Sequence, residues 1–130
     1  MHRIPMLFLL SAGAATAAPI PTRTPIGSFP LDPAKSVTRV DTTRVDFLPG
    51  QEMPKHMHPV PVICFVVKGS FAVSIGGAPV RTVNAGDTTI ERADEIVHYF
   101  RNLSVRDPAQ LNCAILAGPD DKELSVMLSK

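Results

Sequence analysis

The stretch "GQEMPKHMHPVPVICFVVKG", Gly50 to Gly69, places two histidines one residue apart just ahead of an unbroken apolar run. The run "VICFVV" is apolar on both faces, as a central strand of a sheet must be. Around it the chain breaks into further short β-type runs: "SVTRV", "TTRVDFL", "SFAVSI", "VRTV", "TTIER", "VHYF" and "QLNCAIL". Most are bounded by Gly, Pro, Asn or Asp, and no long helical period separates them. That texture predicts an all-β sandwich or barrel. In "SFAVSI", Phe71, Val73 and Ile75 alternate with Ser70, Ala72 and Ser74, so one face is expected inside and the other toward solvent. Gly76-Gly77 supplies a tight reversal. Near the end, Leu124, Met127 and Leu128 stand at helical spacing behind Asp120 and Asp121, which predicts a short terminal helix.

The N-terminus has a different texture. A basic start at His2 and Arg3, an apolar run from Ile4 to Leu10 and a small-residue ending at Ala15-Thr16-Ala17 read as a signal peptide, residues 1–17, with cleavage after Ala17. Its apolar part is too short to span a bilayer. Residues 18–36 carry five prolines among Thr, Ser and Gly and read as an extended arm. Residues 37–130 form the single domain. The mature protein is therefore expected in the periplasm or outside the cell. There the two cysteines, Cys64 and Cys113, can pair, although buried unpaired cysteines fit the same strands.

Of 13 Lys and Arg, Arg3 leaves with the signal peptide, so 12 remain against 12 Asp and Glu, scattered without runs. No net field draws nucleic acid or an anionic membrane surface, and a small molecule is the expected partner. The chain has four histidines, of which His2 is removed. Residues two apart in a strand point to one side, so His56 and His58 can turn toward one ion, with His98 of "HYFRN" supplying a third nitrogen. Spacing alone leaves these three equally open to a hydrogen-bonded structural role.

Gly50, His56, His58 and Gly69, followed by Gly86-Asp87, His98 and Asn102, resemble the two motifs of the cupin superfamily. Between Gly86 and His98 the chain is one residue longer than the family spacing, and Arg92-Ala93-Asp94 replaces the usual Pro and Gly. The resemblance implies a jelly-roll β-barrel with His56, His58 and His98 as metal ligands. It also implies a glutamate four residues after the second histidine, where this chain has Val62. Among other acids, Glu91, Asp94 and Glu95 precede His98, and residues so placed are usually solvated.

Three neutral imidazoles leave a divalent ion its full charge and open positions, suited to an anionic substrate. The resemblance thus suggests a dioxygenase-like oxidoreductase with Fe(II) favoured and Mn, Ni or Zn as alternatives. A non-catalytic metal- or ligand-binding cupin, and a degenerate barrel without metal, are the competing readings. Barrels of this family often pair as homodimers, and the arm could take part.

Overall fold

The computed structural model describes residues 13–128, so the apolar run of the expected signal peptide, Ile4 to Leu10, lies outside the described residues. From Gly13 to Thr38 the chain forms no strand and is mostly exposed. Nine strands follow: β1 (Arg39–Phe47), β2 (His56–Met57), β3 (Val62–Lys68), β4 (Ser70–Ile75), β5 (Arg81–Asn84), β6 (Thr88–Glu91), β7 (Ile96–Asn102), β8 (Ala109–Ala117) and β9 (Val126–Met127). They build two antiparallel sheets, β1-β8-β3-β6 and β5-β4-β7-β2-β9. The all-β jelly-roll expectation is met, and β3 is indeed internal, flanked by β8 and β6.

Side chains alternate across each strand, so each sheet turns one set of residues toward the other. The shared core contains Phe47, Val62, Val66, Phe71, Val83 and Leu111. Phe47, Phe71 and Phe100 form its aromatic centre, with ring centroids 5.0–6.0 Å apart. The outer face of β3 is less covered than its composition implied: Phe65 and Val67 are exposed.

Two corners depend on particular residues. Gly69, at φ +83°, carries the chain directly from β3 into β4, and a Cβ there would stand 2.7 Å from Ala109 Cβ. Asn102 is fully buried; its side-chain amide donates to Leu48 O at 3.1 Å and Asp107 O at 2.8 Å, while its oxygen accepts from Ser104 N. The loop after β7 is thereby held by one side chain that satisfies three backbone groups.

The expected terminal helix does not form. Instead β9 pairs with β2, matching Met127 to His56 and Val126 to Met57. Leu128 N bonds Lys55 O, and Leu124 O accepts from a histidine ring. A helix would have turned these groups back on themselves, whereas the edge of β2 offers them partners. Asp121 anchors this segment by accepting from Gly118 N and pairing with Lys35.

Candidate metal centre

A cavity of about 130 Å³ lies between the sheets. Most of its wall is apolar, including Phe47, Phe100, Leu111 and Ile115; Thr43 and Ser125 also line it, and the titratable side chains His56, His58 and Glu91 meet in it. The histidines come from β2 and the residue after it, in one sheet. Glu91 ends β6, in the other.

Both rings are held by backbone. His56 Nδ1 is 2.8 Å from Pro54 O, and His58 Nδ1 is 2.6 Å from Leu124 O. A carbonyl only accepts, so each Nδ1 carries the proton and each neutral ring presents the lone pair of Nε2. These Nε2 atoms lie 3.7 Å (His56) and 3.0 Å (His58) from Glu91 Oε2. One ligand atom from each of the three residues falls within 4.8 Å of the other two. Glu91 Oε2 is buried and receives no well-formed hydrogen bond among the described residues.

Lone pairs of two imidazoles and a carboxylate converging on one point repel unless a cation sits among them. A proton on His58 is one such cation. Burial opposes charge on that ring, but the contact with Glu91, the Leu124 carbonyl and the Glu91 charge outweigh it and raise its pKa above the ordinary 6.5. For Glu91 burial again opposes charge, and the contacts with His56 and His58 outweigh it, holding the carboxyl below its ordinary 4.5. A divalent metal is the other cation that fits, since backbone-oriented imidazoles and a carboxylate are a common ligand set for it.

The two cations exclude each other, which fixes the pH dependence. His58's raised pKa stabilises the metal-free fold below its unfolded value, and that contribution is lost as pH rises through the folded value. Glu91's contribution is present above its unfolded value and lost as pH falls through the depressed one. Metal-free stability from this pair is therefore greatest between about 4.5 and 6.5. Metal affinity should rise with pH through the raised His58 pKa, with release of about one proton per ion. Calorimetric titrations of Zn(II) in buffers of different ionisation enthalpy measure that release; affinity independent of pH between 6 and 8 would contradict it.

His98 does not join the cluster. β4 and β7 pair Ser74 with Tyr99 and Ile75 with Val97, so His98 is the extra residue of a β-bulge. Val97 lies opposite His56, buried and facing inward, and His98 is turned out to solvent. The bulge falls just after the segment between Gly86 and His98 that is one residue longer than the family spacing.

The carboxylate missing at position 62 is supplied from across the sheet. Val62 pairs with Glu91, so the two side chains share the inner face. Asp94 and Glu95 do not contribute. Asp94 takes a left-handed turn conformation at φ 63°, and its N–H donates to His58 O. Glu95 folds back on its own turn, accepting from Arg92 N and pairing with the Arg92 side chain. The cysteines are joined, Cys64 to Cys113, and this disulfide forms part of the cavity wall.

The family model for the cupin domain matches residues 43–115. The chain is a cupin. No curated protein matches it in sequence. Among solved structures, this cupin is similar to an oxalate oxidase studied for its mechanism, at 30% identity and TM-score 0.52, covering 60% of this chain and 42% of that one. A recombinant oxalate oxidase in complex with glycolate aligns at 28% identity and TM-score 0.57, covering 68% and 45%. A double-stranded β-helix protein from Klebsiella pneumoniae aligns at 19% identity and TM-score 0.57, covering 75% and 76%, and is alike in fold. This cupin spans less than half the length of the oxalate oxidases it matches.

Proposed function

We propose that this cupin is an exported metal-dependent enzyme, an oxidoreductase of dioxygenase-like type, acting on a small anionic molecule at a centre formed by His56, His58 and Glu91. The observation that carries this reading is the convergence of two backbone-oriented Nε2 atoms on the buried Glu91 Oε2, at 3.7 and 3.0 Å. Two histidines and one carboxylate with open positions are the donor set of non-haem Fe(II) oxygenases, so Fe(II) is favoured, with Mn(II), Ni(II) and Zn(II) as alternatives. When bound, such an ion supplies Lewis acidity and, if iron, one-electron chemistry.

The chain's own residues account for the rest. Glu91 cancels one of the two charges of the ion, leaving a single net positive charge rather than the double charge of an all-histidine site. A net positive centre inside an apolar wall favours an anionic group. Phe47, Phe100, Leu111 and Ile115 exclude water and leave room for a ligand of roughly six non-hydrogen atoms, judged by the benzene held in an engineered cavity of similar size. The oxalate oxidase in complex with glycolate supports a small carboxylate in such a fold. The disulfide supports an oxidising compartment, in keeping with export and removal of residues 1–17.

Metal analysis of the protein purified after export, followed by oxygen-consumption assays of the Fe(II)-loaded form against small carboxylates, thiols and diketones, tests the proposal. Stoichiometric metal with turnover of at least one class is expected. Stoichiometric metal without turnover would make the protein a carrier, and no metal in the wild type would end the reading.

A further inference from the structure

The disulfide lies where a packing residue would serve as well. Cys64 is two residues beyond Val62 on the inner face of β3, one strand away from Glu91 on β6. Cys113 faces Cys64 from β8, and both line the same cavity as His56, His58 and Glu91. Directly across from Cys64 on β6 is Thr89, fully buried, whose Oγ1 finds no hydrogen-bond partner among the described residues. A buried hydroxyl without a partner is costly, and a neutral disulfide sulfur offers it little. A thiolate at Cys64 would accept its proton in a hydrogen bond.

We propose that the Cys64–Cys113 disulfide is a redox-controlled element of the metal centre, and that its reduction by small thiols adds the Cys64 sulfur to the donor set. This rests on the reading of His56, His58 and Glu91 as metal ligands. In the oxidised protein each sulfur is bonded to the other and is a poor ligand, since it is the thiolate that binds metals. A small thiolate attacks one sulfur, forming a mixed disulfide and releasing the other as a thiolate. A second small thiol displaces the first, so two thiols leave as one disulfide and two cysteine thiols remain. Cys64 then loses its proton on binding the ion, stabilised by Thr89 Oγ1. Cys64 rather than Cys113 is the donor because β3 adjoins β6, whereas β8 lies one strand further away. A sulfur donor shifts the centre toward softer ions such as Zn(II) or Cd(II).

Co(II) reports this directly, because thiolate ligation gives an intense near-ultraviolet charge-transfer band that nitrogen and oxygen ligands do not. The metal-free protein is titrated with Co(II) as isolated and after reduction by a phosphine that is then removed under anaerobic conditions. The oxidised form is expected to bind without the band, and the reduced form to show it with affinity increased at least about tenfold. Cys113→Ser leaves Cys64 free without any reductant and should show the band. Reduced Cys64→Ser should lack it. Identical Co(II) spectra and affinities for the oxidised, reduced and Cys113→Ser proteins would overturn the inference while leaving the metal centre standing. Absence of Co(II) binding in every form would overturn both.

Discussion

Glu91→Gln is expected to lower affinity for Fe(II) or Co(II) by about a hundredfold or more, the upper end of what losing a mere supporting partner costs a metal site. His98→Ala should leave affinity unchanged. The contrast is informative because the two substitutions separate the structure from the family pattern. Glutamine has the same shape as glutamate, so the buried end of β6 keeps its packing. Its amide can donate to the Nε2 lone pair of His58, which lies 3.0 Å from the carboxylate oxygen in the wild type. That bond would satisfy the ring without a cation and remove the charge that attracts one. His98 is exposed and belongs to a bulge, so truncating it opens no cavity and removes no donor from the cluster. His56→Ala, which deletes a backbone-oriented nitrogen, should match Glu91→Gln in effect. Equal loss of metal in His98→Ala, or full retention in Glu91→Gln, would show that the centre is not the one described.

The two sheets were legible because alternation, turn residues and apolar runs are local signals, and they agree with one another from Arg39 to Ala117. His56 and His58 were legible as a pair for the same reason, since residues two apart face one side. What a linear reading misses is register. Nothing within "TTIER" says that Glu91 rather than Ile90 faces inward; apolarity argues for Ile90, and the chain buries the charged residue instead. The available signal was the absence of an acid at position 62, together with an acid near the start of the second motif. Pairing Val62 with Glu91 turns those two facts into one. For His98 the signal was the extra residue before it, because a single insertion in a strand reverses every later side chain until a bulge absorbs it. The terminal segment failed differently: helical spacing over a few residues was too weak to compete with the unpaired edge of β2.

Phe71→Ala is expected to destabilise the metal-free protein by about 3–5 kcal/mol, as for other fully buried aromatic truncations. Phe71 has no exposed surface and packs edge-on against Phe47 at 5.0 Å and Phe100 at 5.3 Å. Both neighbours are strand residues, Phe47 closing β1 and Phe100 lying in β7, so neither ring can slide far into the void. Phe71→Leu, which keeps most of the volume, should cost much less, and the difference between the two measures how rigid the surroundings are. The consequence reaches the centre because Phe47 and Phe100 line the cavity that Phe71 supports from behind. Denaturant unfolding with and without metal separates the effects. If the truncation only weakens the core, saturating metal at a hundred times its dissociation constant restores about 2.7 kcal/mol to Phe71→Ala, as it does to the wild type. Should metal stabilise the wild type but not Phe71→Ala, the aromatic cluster would be positioning the ligands as well as filling the core. A loss below about 1 kcal/mol on truncation would mean that the space between the sheets is not packed around this ring.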